Sequence, residues 1–243
     1  MIRYKSSAEL KDMAKGRLTG RYGTAILAVL VIESIHFMIN SFITTLVPGT
    51  DLKSYLLTIL LSTITSIFLG VYQTGLSLFF LNMACGQPYR VNDVFYGMYN
   101  QPMRSITVSL AVTLANVVCL TPYQIFATLF MSTQDTNYMM LMLVTAAIGL
   151  LIYVPVSLAI SQSYFLLLDF PEYSGADALK ASCRIMKKHM GRLFYIQASF
   201  LPLILLGALT CGIGMLWITP YMNMTYTLFF LDIMNPQKIE ENK

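Results

Sequence analysis

Six long apolar runs, joined by short polar links, decide what this chain can fold into. They cover residues 24–47, 55–84, 105–131, 138–168, 193–211 and 216–231. An α-helix rises about 1.5 Å per residue, so about twenty residues cross a hydrocarbon core of about 30 Å. In lipid every backbone N–H and C=O must be paired inside the segment, and for runs of this kind only helices achieve that. Composition agrees. The chain is 56% hydrophobic and only 12% charged, against about 25% charged in soluble domains, and its mean hydropathy is +0.62. It lacks the polar groups needed to cover a water-facing globule. The expected fold is all-α, a polytopic transmembrane bundle of six spans forming a single membrane domain over residues 1–243.

The basic residues set the expected orientation, because Lys and Arg collect on the cytoplasmic side of membrane proteins. Six lie before the first run (Arg3, Lys5, Lys11, Lys15, Arg17, Arg21), and Arg90 and Arg104 lie in the second link. Lys180, Arg184, Lys187, Lys188 and Arg192 fill the fourth link, and Lys238 and Lys243 the tail. With both termini inside, fifteen of the sixteen basic residues are cytoplasmic and only Lys53 is outside. The stretch before the first run is too long and too charged for a signal peptide, and no small-residue cleavage site follows it, so the first span is expected to stay.

Three links carry amphipathic segments. Leu10, Met13, Ala14 and Leu18 share one helical face opposite Glu9, Lys11, Asp12 and Lys15, with Ser6 or Ser7 as cap. Val91, Val94, Phe95 and Met98 repeat the pattern, with Asn92 as cap. The third is Leu179, Ser182, Cys183, Met186, Met190 and Leu193, backed by Lys180, Arg184, Lys187 and Lys188. Glu9, Asp93 and Asp177 stand in the three first turns, 84 residues apart each time. The chain therefore reads as three parallel units, near 1–84, 85–168 and 169–243, each an interfacial helix followed by a two-span hairpin.

Within the runs, the second is longer than a bilayer needs, so it is expected to be tilted or interrupted, and Gly70, Gln73 and Gly75 mark where an interruption would fall. Pro122, Pro155, Pro202 and Pro220 are expected to interrupt four further spans. Ser62, Ser66 and Gly70, four apart, predict close helix packing. Cys85, Cys119, Cys183 and Cys211 show no metal-ligand spacing and read as small apolar fillers.

The candidate intramembrane polar site is Glu33 and His36, three residues apart and so on one face, with Asn40 a turn further on. Asn116, Gln162, Gln197 and Asn223 could complete it from other spans. An ionisable group at bilayer depth is by default a functional candidate; the alternative is interhelical hydrogen bonding that fixes packing. Glu33-x-x-His36 is half of a di-iron motif, but the second half and the extra carboxylates are missing, so no metal and no cofactor is expected. No HExxH, GxSxG, P-loop or GxGxxG occurs, and basic residues at span ends give no support for nucleic-acid binding. Lys180, Arg184, Lys187 and Lys188 are expected to face anionic lipid headgroups of the cytoplasmic leaflet.

One stretch carries a family likeness. Ala178-Leu179, Ser182, Met186-Lys187, Leu193-Phe194, Ser199-Phe200, Gly212-Ile213-Gly214, Leu216-Trp217 and Pro220-Tyr221, together with Leu10–Ala14–Leu18 and the region 75–97, resemble an uncharacterised family of integral membrane proteins from Gram-positive bacteria, a domain of unknown function. The chain is also similar to the membrane region attached to some glycerophosphodiester phosphodiesterases, without their catalytic domain. Lys188 stands where the family usually has glycine, and Pro155-Val156 where it has Pro-Gly. The resemblance implies a six-span protein of the bacterial plasma membrane and supplies no catalytic residues. The expected role is a non-enzymatic accessory or organising membrane protein working through lipid contacts and a membrane-protein partner or a second copy of itself. The alternative is a small permease with a polar path at Glu33 and His36.

Overall fold

The computed structural model describes residues 2–49, 52–235 and 237–238; Lys243 of the tail lies outside them. In chain order the helices are α1 (Ser7–Leu18), α2 (Tyr22–Leu46), α3 (Leu52–Cys85), α4 (Tyr96–Tyr99), α5 (Pro102–Thr133), α6 (Thr136–Ile160), α7 (Ser163–Asp169), α8 (Gly175–Met186), α9 (Met190–Ala198), α10 (Leu201–Leu209) and α11 (Met215–Met234). A 3-10 turn, Val91–Phe95, precedes α4. The molecule is all-helical apart from a two-residue antiparallel pairing of Ile2–Arg3 with Gln237–Lys238.

Five helical segments among the described residues are long and apolar enough to cross a membrane: Tyr22–Leu46, Lys53–Cys85, Pro102–Thr133, Thr136–Asp169 and Met190–Leu209. Their outer faces carry Phe37, Phe42, Phe68, Leu151, Leu205 and Leu209, all more than half exposed. Water does not tolerate so wide an apolar surface, and lipid does. The sixth expected span, α11, has the length but is not among these five, and it carries Thr219, Asn223, Thr225, Thr227 and Asp232. Ten of its twenty residues are buried. It is sheathed by α1, α2, α3 and α10, so protein rather than lipid surrounds it.

Packing concentrates around α11 and the C-terminal half of α3. Leu10, Ala14 and Leu18 of α1 are at most 1% exposed in this cluster, with Phe79, Phe80, Phe200 and Phe229. The apolar stripe of α1 therefore faces the bundle rather than the bilayer. The same holds for α8, whose Ala178, Ser182 and Met186 are buried against α5, α6 and α7. The helices α1 and α8 are parts of the bundle wall that present their polar sides outward.

Three acids cap these links in the same way. Ser6 N donates to Glu9 Oε2 at 2.6 Å, Arg90 N to Asp93 Oδ2 at 2.8 Å, and Ser174 N to Asp177 Oδ2 at 3.3 Å. Ser6 and Ser174 return the bond through their hydroxyls, completing capping boxes. In the middle link the residue three before the acid is Arg90, so the cap is not the expected Asn92. That segment is also not an amphipathic α-helix: it is the 3-10 turn plus the four-residue α4, and Met98 is 47% exposed. It lies close on α3 because Gly75 faces the Val94 carbonyl and Gly97 faces the Val71 carbonyl, where any Cβ would collide with backbone.

The interruptions fall elsewhere than expected. Helix α3 runs unbroken through Gly70, Gln73 and Gly75; Gly70 instead lets α5 approach, since a side chain there would overlap Ser109. Pro122, Pro155 and Pro220 sit inside continuous helices. The break in the fourth span is at Ser161–Gln162, past Pro155. Here Ser157, Ser161 and Ser163 donate to the carbonyls of Val154, Leu158 and Ile160, a competition with helical bonding that opens the turn. Pro202 does follow a break, between α9 and α10. Lys11 Nζ reaches across from α1 and donates to the freed Ser199 carbonyl at 2.9 Å. Of the cysteines, all free, Cys85 and Cys211 are exposed, so the filler reading does not hold for them.

Candidate functional site

The break at Ser161–Gln162 helps to form a polar recess inside the apolar bundle. A cavity of about 340 Å³ lies among α2, α3, α5, α6 and α7, lined on its polar side by His36, Ser66, Gln73, Ser109, Thr113, Tyr153, Ser157, Ser161 and Tyr164. A smaller cavity of about 90 Å³ adjoins it, sharing Gln73, Ser161 and Tyr164 and adding Ser77, Gln162, Gln197, Asn223 and Thr227. No Asp, Glu, Lys or Arg lines either one. The recess offers hydroxyls, amides and one imidazole, which suits binding by hydrogen bonds and not ion pairing.

Of the residues singled out from sequence, His36 lines the larger cavity, and Gln162, Gln197 and Asn223 line the smaller one. Gln162 is 2% exposed; its Nε2 donates to Ser161 Oγ at 2.9 Å, while its Oε1 has no partner. Glu33 is exposed on the outer side of α2 and lines neither cavity. Asn40 is exposed too, and its Nδ2 donates to the His36 carbonyl on its own helix at 2.9 Å. Asn116 is half-buried and reaches neither cavity. The Glu33–His36–Asn40 face is thus not one site: the bundle takes in His36 and leaves the other two outside. Tyr153 and Tyr164, which the sequence did not single out, complete the recess together with Gln73. Gln73 was legible as a polar residue mid-span, but was read as a break in α3.

A second polar node ties the two ends of the chain together. Asp232 on α11, with its side chain 1% exposed, accepts from Arg192 Nη2 at 2.6 Å and from the Lys5 backbone N–H at 3.2 and 3.3 Å. Arg192 also stacks over the rings of Tyr4 and Phe229, and Tyr4 meets His189 edge-on at 4.8 Å. Burial, and then the Arg192 charge, hold the His189 imidazole below its usual range, with Asp232 pulling the other way. Both Asp232 oxygens are satisfied, while Arg192 Nη1 and His189 Nδ1 beside them are buried without a partner.

The basic face is open. Lys180, Arg184, Lys187 and Lys188 are all exposed, whereas Lys11, Lys15, Arg21, Arg104 and Arg192 are engaged by carbonyls or aromatic rings of the protein itself. On α8 the Asp177 carboxyl is held below the usual carboxylate range by its hydrogen bonds from Ser174, so the helix begins with a fixed negative charge at its positive dipole end. Among the described residues no group of three or more His, Cys, Asp or Glu is placed to hold a metal ion.

No curated protein and no solved structure matches the chain. One family model does, over residues 1–237, nearly the whole length, and it is described as a protein of unknown function, DUF975. With its apolar helices, its polar recess and its basic helix face, the chain belongs to that uncharacterised DUF975 family.

Proposed function

We propose that this is a six-span protein of the bacterial plasma membrane, built as three parallel units with both termini cytoplasmic, that works without catalysis as an accessory or organising protein. It binds anionic lipid at the cytoplasmic leaflet and engages a membrane-protein partner or a second copy of itself. The observation that carries this is α8: its apolar side is buried in the bundle, and Lys180, Arg184, Lys187 and Lys188 remain exposed together. Those four cations are not needed to hold the fold, and each contributes about 1 kcal/mol near an anionic surface. The equivalent capping of Glu9, Asp93 and Asp177 supports the three-unit reading.

The test is native mass spectrometry of the protein released from mixed phosphatidylglycerol and phosphatidylcholine nanodiscs. The wild type is expected to retain phosphatidylglycerol preferentially, and replacement of the four cations by Gln to remove the preference without lowering thermal stability. Retention unchanged in that variant contradicts the reading. A second reading, a small permease, is favoured by His36 lining the recess. With Glu33 outside, uptake into proteoliposomes is then expected to survive Glu33→Gln and to fail in His36→Ala; the reverse result excludes the path.

A further inference from the structure

The recess has a specific chemistry that the lipid-organising reading does not use. A polar cavity at membrane depth is costly unless its groups are paired or solvated. Here several are not paired within the protein. Gln162 Oε1 is buried without a partner, and among the hydrogen bonds of the described residues none involves the side chains of His36, Gln73 or Tyr153. The unused groups are a mixture of donors and acceptors. With no Asp, Glu, Lys or Arg on the lining, an anion or cation entering would give up part of its hydration without a counter-charge, which disfavours it against a neutral group. An uncharged group rich in hydroxyls, able both to donate and to accept, satisfies the lining.

The surroundings point to how such a group arrives. The larger cavity is open rather than sealed. Its flanking helices are α2, which packs on α3 and α11, and α6, which packs on α5, α8 and α9. Beyond the recess both helices present apolar side chains outward, Phe37 and Met38 on α2 and Leu151 and Ile152 on α6. A headgroup held among Gln73, Tyr153 and Gln162 would leave its acyl chains against that greasy margin.

We infer that the recess between α2 and α6 is a binding site for a neutral, polyhydroxylated group, the sugar headgroup of a glycolipid or the same chemistry in a free sugar. The site is independent of the basic face, so loss of anionic-lipid preference leaves it standing.

The experiment uses the full chain in phosphatidylglycerol nanodiscs doped with a diglucosyl diacylglycerol, with binding read by native mass spectrometry and by competition with free methyl glucoside. The glycolipid is expected to bind at least tenfold more tightly than phosphatidylglycerol, and Gln73→Leu, at an exposed side chain on the mouth of the recess, to lose about tenfold, the scale of one or two hydrogen bonds. The control Leu209→Met, on the outer face of α10 and lining neither cavity, is expected to bind as wild type does. Circular dichroism melts of both variants separate loss of the site from loss of the fold; should Gln73→Leu not fold, Tyr153→Phe, which removes one hydroxyl, takes its place. Competition by methyl glucoside at similar concentrations assigns the site to the free sugar, and competition only by the lipid assigns it to the headgroup. Equal binding of phosphatidylglycerol and glycolipid, or binding unchanged in folded Gln73→Leu, overturns the inference.

Discussion

At the scale of single residues, one charged node at the edge of the apolar core ties the N-terminal segment to α11. Asp232 is its centre, since its buried carboxylate is neutralised by Arg192 and by the Lys5 backbone. Removing one partner of a buried pair leaves an uncompensated charge and costs about 3 kcal/mol. Arg192→Ala is therefore expected to lower thermal stability in detergent by about that amount, and the double variant Arg192→Ala/Asp232→Ala to recover part of it; a single variant as stable as wild type would contradict the node. His189 adds a pH dependence. Its folded imidazole protonates less readily than in the unfolded chain, where the usual value is 6.5. The unfolded state therefore binds more protons below that pH, and stability falls as pH drops from about 7.5 through about 6. Melts across this range should show the fall in wild type and a flatter line in His189→Gln.

Single elements show what the sequence carried and what it did not. The apolar stripes of α1 and α8 were legible because helical spacing reports which residues share a face. What covers that face was not legible: Leu10 and Met186 pack on other helices rather than on lipid, and a stripe reads the same in both settings. Gly75 illustrates the second limit. In a long apolar run it looked like a weak point, yet it is the seat for the Val94 carbonyl in the next link. Gly75→Ala is expected to destabilise by about 2 kcal/mol through overpacking, with melting temperature as the check; a neutral result would mean the link is held elsewhere. Pro155 misled for a related reason, because the serines at 157, 161 and 163, and not the proline, decide where α6 ends. The recess was half legible: His36 stood out as ionisable, while Gln73 and Tyr153 come to line one cavity only because α5 packs on both α3 and α6.

For the whole molecule, five helical segments among the described residues are long and apolar enough to cross a membrane, and α11 packs against α1, α2, α3 and α10. Hydropathy located the five because lipid dictates their composition. It described α11 less well because protein surrounds that helix. The account rests on the basic links sharing one side of the membrane and the link between α5 and α6 lying on the other. Reporter fusions or single-cysteine labelling at Asp135 and at Lys187, in intact cells, test this directly. The account predicts that a membrane-impermeant reagent reaches position 135 and not position 187 until the membrane is opened; equal labelling of both in intact cells would contradict it.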